Sequence, residues 1–141
     1  MPLQFIHPIH RATHRIGLYI DSLGERQLSQ GEAHILALLA ESSPATVAEL
    51  HRGLAHKRST LTSILDRLEE RKLITRKVGR ADRRTFVVSL TAKGRKVAKR
   101  VQVHLTALEK VVSGRVSRSQ IAGFDAVVAA LEKEAHKRDG G

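Results

Sequence analysis

Between Lys57 and Arg84 the chain gathers side chains that donate hydrogen bonds and carry positive charge, with little among them that would make or break a covalent bond. Arg58, Ser59, Thr60, Thr62, Ser63 and Arg67 lie in KRSTLTSILDRLEERKL (57–73), where Leu61, Ile64, Leu65 and Leu68 recur at i, i+3, i+4 and i+7. That spacing predicts one amphipathic helix with the four apolar residues inward, which leaves the polar and basic side chains largely on the other side. Such a face suits hydrogen bonding to base edges in a DNA major groove, which is wide enough to admit a helix. A merely solvated face is an equal reading of the helix taken alone. Asp66 could pair with Lys57, Arg58 or Arg67, or accept from a cytosine amino group. Downstream, Arg80, Asp82, Arg83 and Arg84 crowd into a short Gly-containing tip, where arginines suit phosphates or a narrow minor groove.

Bond-making chemistry finds no support. There is no Cys, so disulfides, thiolate metal sites and thiol redox sensing are excluded. No P-loop, G-x-S-x-G, H-E-x-x-H or dinucleotide fingerprint is present, and no cofactor is implied. Asp66 and Glu69 have Lys and Arg neighbours, which favour the ionised form over acid chemistry. The expectation is a protein that is not an enzyme. His7, His10 and His14 fall at i, i+3 and i+7, a spacing that could ligate a metal. No clustered carboxylate completes a set, and partly buried or interface histidines are the preferred reading, so no metal ligand is assigned.

The elements that must position these residues follow from periodicity and capping. Pro8 to Gly24 reads as a helix with Ile9, Ala12, Ile16, Tyr19, Ile20 and Leu23 on one face. Ser29-Gln-Gly-Glu32 is a capping box that opens a second helix to about Glu41, with Glu32 expected to reach back to the cap. Ser42-Ser43-Pro44 breaks it, and Thr46-Val-Ala-Glu49 caps a short third helix to about Leu54. A short helix, a turn at 55–58 and a longer polar-faced helix make a helix-turn-helix. After Leu73 the period changes to two: Ile74–Val78 and Thr85–Leu90 are alternating runs around a charged tip, a hairpin or wing. Thr91-Ala-Lys-Gly94 starts a long helix in which Val97, Val101, Leu105, Leu108 and Val112 keep near-heptad spacing. Ser117-Arg-Ser-Gln120 caps a last helix through Ile121, Phe124, Val127, Val128 and Leu131.

Charge sharpens the assignment. Residues 51–100 carry 16 Lys and Arg against 4 Asp and Glu, whereas the rest carries 9 against 10, so the whole excess of +11 sits on this one block. A basic block in an otherwise neutral chain marks a polyanion partner. Aromatic residues, the stacking platforms of single-strand binders, number 3 Phe and 1 Tyr, which favours duplex DNA. A membrane surface is the rival partner, but the basic helix needs its apolar stripe for a core. No secretion signal or long apolar run is evident, so a cytoplasmic location is expected. The reading is a single domain over 1–141, mainly α with a small β-hairpin. Its winged helix-turn-helix core spans 28–95, and helices at 7–24 and 93–137 have apolar faces without local partners and are assigned to homodimerisation. A dimer would present two recognition helices to a near-palindromic site.

Leu61-Thr62, Leu65-Asp66-Arg67-Leu68-Glu69, Leu73-Ile74-Thr75-Arg76, Asp82-Arg83-Arg84 and Leu90-Thr91 with Gly94 resemble, in that order, the MarR family of bacterial transcriptional regulators. Leu28-Ser29, Glu32 and Leu36 with Leu39 resemble the start of that family's second helix, and the resemblance covers about residues 5–135. It implies an obligate homodimer on a pseudo-palindromic operator, usually repressing a neighbouring gene and in many members released by a small phenolic or otherwise lipophilic anionic effector. It also implies Arg84 as the minor-groove residue of the wing, oriented by Asp82, and Ser59, Thr60, Thr62, Ser63 and Arg67 along the major groove. An effector would lie between the first two helices, with Ile16, Tyr19 and His34 as candidate lining. Two alternatives stay open: a duplex-binding architectural protein that does not read bases, and a metal-responsive regulator using His7, His10 and His14.

Overall fold

The apolar stripe at 61–68 closes a core drawn from five helices and three short strands. The computed structural model describes residues 2–24 and 28–139. In chain order the elements are α1 (Ile6–Asp21), α2 (Gln30–Ser42), β1 (Ala45–Thr46), α3 (Val47–Leu54), α4 (Arg58–Glu70), β2 (Ile74–Val78), β3 (Phe86–Leu90), α5 (Ala92–Ser113) and α6 (Arg118–Asp139). They form two compact units. One spans 13–105; the other consists of the described residues up to 12 and from 106 onward.

The larger unit holds the core. Leu61, Ile64, Leu65 and Leu68 of α4 are buried with Ile35, Leu36 and Leu39 of α2, Leu50 of α3, Ile74 and Val88 of the sheet, and Val97 and Val101 of α5. Two helix starts follow their capping residues: Ser29 Oγ accepts from Glu32 N, and Thr46 Oγ1 accepts from Glu49 N. The capping box at Ser29 is only half made, because the Glu32 carboxylate turns to Arg67 and Arg71 rather than back to the cap.

Helix α4 ends at Glu70, three residues before the periodicity does. Lys72 adopts φ 62°, Lys72 N donates to Glu69 O and Leu73 N donates to Leu68 O, the bond pair of a Schellman stop. Leu73 thereby leaves the helix axis and enters the core at 1% exposure. The first helix likewise ends earlier than expected, at Asp21, with Gly24 (φ 80°) beyond it.

Strand β3 is central in an antiparallel sheet of order β1-β3-β2. The pairing β1 makes with β3 was not expected, since two residues carry no alternation and Thr46 reads only as a cap. Along the hairpin the register pairs Ile74 with Leu90, Arg76 with Val88, and Val78 with Phe86. Burial decays along that face: Ile74 and Leu90 are 1% and 7% exposed, Val78 and Phe86 51% and 50%. The base of the wing is core and its end projects.

Thr91 caps α5 by accepting from Gly94 N, and its own N–H and hydroxyl donate to the carbonyls of Leu73 and Lys72. These bonds draw α5 so close to the end of α4 that a Cβ on Gly94 would fall on the Leu73 carbonyl oxygen. This explains the glycine of the L-T-x-x-G run: it permits close backbone approach. In the smaller unit, Ser117 and Gln120 form a complete capping box, each backbone N–H bonded to the other's side chain.

Gly94→Ala is expected to lower unfolding stability by about 1–3 kcal/mol, the usual cost of forcing a methyl group into a filled site. A denaturant midpoint equal to that of the unsubstituted protein would contradict the close approach.

Candidate nucleic-acid interface

With its apolar stripe buried, α4 turns Arg58, Ser59, Thr60, Thr62, Ser63 and Arg67 to the exposed side. Ala55 in the left-handed region (φ 55°) and Lys57 make the turn from α3 into α4. Lys57 offers no side-chain cap, so the first amides of α4 stay available to an acceptor from outside.

The wing tip is a built turn. Gly79 N donates to Thr85 O, and Thr85 donates to Asp82 O through both its N–H and its hydroxyl. Asp82 Oδ1 accepts from Arg84 N at 3.0 Å and from Arg84 Nε at 3.1 Å, while Oδ2 accepts from Arg84 Nη2 at 3.3 Å. The Arg84 hydrogen bonds hold the Asp82 carboxyl below its ordinary pKa. The arginine is thus directed by its neighbour yet remains 91% exposed. Among the described residues Arg58, Arg80 and Arg83 make no ion pair.

The two elements converge. A cleft of about 450 Å³ is lined by Thr46, Val47, Ala48, His51 and Arg52, by Arg58, Leu61 and Thr62 of α4, and by Arg84, Thr85 and Phe86 of the wing. Three arginines line it and no acidic residue does. The α3 residues His51 and Arg52, and Phe86, were not singled out from sequence. Only the tertiary approach of α3 to β3 brings them to the site.

Other arginines are tied down. Arg76 of β2 bridges Asp66 at 2.6 Å and Glu69 at 3.0 Å, joining the root of the wing to α4. Asp66 therefore pairs across elements rather than with its helical neighbours, as sequence spacing had suggested. The hydrogen bond from Arg76 is the main reason the Glu69 carboxyl lies below its ordinary pKa. Arg67 Nε donates to Glu32 Oε1 at 3.3 Å and Arg71 Nη1 to Glu32 Oε2 at 3.2 Å.

The residues assigned to an effector are not brought into this cleft. Ile16 packs against the core, and Tyr19 Oη donates to the His104 carbonyl at 3.0 Å. His34 lies on the face of α2 that meets the α3–α4 turn. Residues 31, 34 and 38 are on that face, and a Cβ at Gly31 would lie near Ile64 and His56. Burial, then the charge of nearby His56, holds the His34 imidazole below its ordinary pKa of 6.5. His7, His10 and His14 are exposed on α1. Among the described residues no three His, Cys, Asp or Glu side chains gather as a metal site would need.

A short helix, a tight turn, an outward-faced second helix and an arginine-tipped hairpin define a winged helix-turn-helix. Residues 28–86 match the MarR family model. Regulators of that family are DNA-binding transcription factors, not enzymes. Over 78 residues the chain is 35% identical to the uncharacterized HTH-type transcriptional regulator YpoP of Bacillus subtilis; the match covers 55% of each, so the chain spans about half the length of that relative. In fold it is similar to S. aureus MepR in its complex with DNA (TM-score 0.79, 18% identity, 95% of this chain and 99% of that one). It is also similar to the PcaV transcriptional regulator from Streptomyces coelicolor with its natural ligand (TM-score 0.76, 18% identity, 94% of each chain).

A pH prediction follows from His34. The folded protein resists a proton that the unfolded chain accepts. The stability due to neutral His34 is therefore complete above pH 6.5 and is lost as pH falls below 6.5 toward the lowered folded value. In denaturant titrations His34→Gln should flatten the stability profile just below pH 6.5; a profile as steep as that of the unsubstituted chain would contradict it.

Proposed function

We propose that the protein is a transcriptional regulator that binds double-stranded DNA sequence-specifically as a homodimer, with α4 in the major groove and the wing at the flanking backbone and minor groove. The single observation that carries this reading is the acid-free cleft in which Arg58 and Thr62 of α4 meet Arg84 of the wing. Ser59, Thr60, Thr62, Ser63 and Arg67 read or flank base edges. Arg58, Arg80 and Arg83 neutralise phosphates, and Arg84, directed by Asp82, enters the minor groove.

The finer parts of the reading are repression of an adjacent gene in the cytoplasm and release by a small phenolic or lipophilic anionic effector. They rest on the family resemblance of the sequence; by analogy of fold, the DNA complex of MepR favours a DNA partner and the ligand complex of PcaV favours a ligand. Dimerisation is assigned to the helices at 7–24 and 93–137, around a DNA-binding core at 28–95. Support comes from Val111, Val112, Val116, Ile121 and Phe124, which are large, apolar and exposed in the single chain. No helix among the described residues is long and apolar enough to cross a membrane.

Two outcomes are expected. On a duplex selected by the unsubstituted protein from a random library, Arg84→Ala should weaken binding by about 1–3 kcal/mol in fluorescence anisotropy. Affinity equal to that of the parent would remove the wing assignment, and equal affinity of the parent for any duplex would favour the architectural reading. In sedimentation, Phe124→Glu should shift the dimer toward monomer; a chain that is monomeric before substitution would refute the homodimer.

A further inference from the structure

Among the described residues Glu32 is the one charged side chain in the buried set, at 4% exposure, and it lies outside the interface as drawn from sequence. It occupies the first turn of α2, yet both its oxygens are engaged at the C-terminal end of α4: Oε1 by Arg67 Nε and Oε2 by Nη1 of Arg71, the residue that caps that helix. The two arginines are four residues apart and each takes a different oxygen, so the carboxylate is held at both of its oxygens. A buried carboxylate without such partners is strongly unfavourable, which favours keeping both contacts. Arg67 differs from Arg71 in one respect that matters. Its side chain is 50% exposed, although its Nε–H is taken by Glu32. A guanidinium bound through Nε still carries two Nη amino groups, the fork that reads guanine or phosphate bidentately.

We infer that Glu32 is a positioning residue for sequence readout: it fixes Arg67 of the recognition helix through Nε so that the Nη fork meets a base edge already ordered. The inference deepens the DNA-binding reading above and rests on it. It implies that part of the specificity of α4 is set from α2, by a residue that never touches DNA. Ordering the long side chain on folding rather than on binding removes a penalty that a free arginine would incur at the interface. The same carboxylate offsets one of the two positive charges, which lessens indiscriminate attraction to phosphate.

The test compares a duplex selected by the parent protein from a random library with its scrambled counterpart. The parent, Glu32→Gln, Arg67→Ala and the double variant are measured by anisotropy well below every unfolding midpoint. Glu32→Gln should lower the ratio of selected to scrambled affinity about tenfold or more, the discrimination carried by one bidentate base contact. Affinity for the scrambled duplex should be retained or raised. In the Arg67→Ala background Glu32→Gln should add nothing. A merely structural role would weaken both duplexes in parallel and persist undiminished in that background; either result, or an unchanged ratio, overturns the inference. Should Glu32→Gln fail to fold, Arg67→Lys keeps the charge and the Arg71 contact but cannot bind Glu32 and present a fork at once. It should show the same loss of discrimination with an unaltered salt dependence, and a parental ratio in that variant equally overturns the inference. A parent that prefers no duplex overturns the regulator reading itself, a result separable from all of these.

Discussion

Every group that α4 shows to solvent owes its direction to four side chains that face inward. Leu61, Ile64, Leu65 and Leu68 are each 3% exposed or less. Burying one such side chain stabilises by about 1.5–3 kcal/mol, whereas an exposed ion pair contributes about 0–1 kcal/mol. Rolling α4 about its axis would therefore forfeit far more than any surface contact could return. The hydroxyls and the guanidinium group of 58–63 are outward because the apolar stripe leaves them no alternative.

The surplus of positive charge is handled in two ways. Near the core, Arg67, Arg71 and Arg76 are held by Glu32, Asp66 and Glu69, and these ion pairs stitch α4 to α2 on one side and to β2 on the other. At the start of α4 and at the wing tip, Arg58, Arg80 and Arg83 have no acidic partner among the described residues. Arg84 has one that aims it without covering it. Burial along the hairpin falls in the same direction, from Ile74 and Leu90 at its base to Val78 and Phe86 near its end. Rigid at the root and open at the rim is the arrangement a polyanion-binding surface requires: a fixed geometry, with charge left unneutralised until the partner supplies phosphate.

Much of this was legible in residue spacing. The stripe of α4, the alternation of β2 and β3, the caps at Ser29, Thr46 and Ser117 and the start of α5 at Thr91 are local patterns, and local patterns survive in a sequence. What escaped depends on contacts between distant segments. The Glu32 side chain abandons its cap because two arginines 35 and 39 residues away can satisfy a buried carboxylate better. Asp66 pairs with Arg76 rather than within its helix because β2 returns alongside α4. Strand β1 is two residues long and exists only because β3 has a free edge there. The stop of α4 at Glu70 was partly hidden too, since a lysine rather than a glycine holds the left-handed position at 72.

Footprinting gives the most direct trial of the central claim, that the outward face of α4 and the wing dock together on duplex DNA, once for each subunit. Hydroxyl-radical cleavage of a genomic fragment saturated with the protein should show two related protected patches on one face of the duplex, about 10–10.5 base pairs apart from centre to centre, or a multiple of that spacing. Uniform protection along the fragment, or a solitary patch with no symmetric counterpart, would contradict the account.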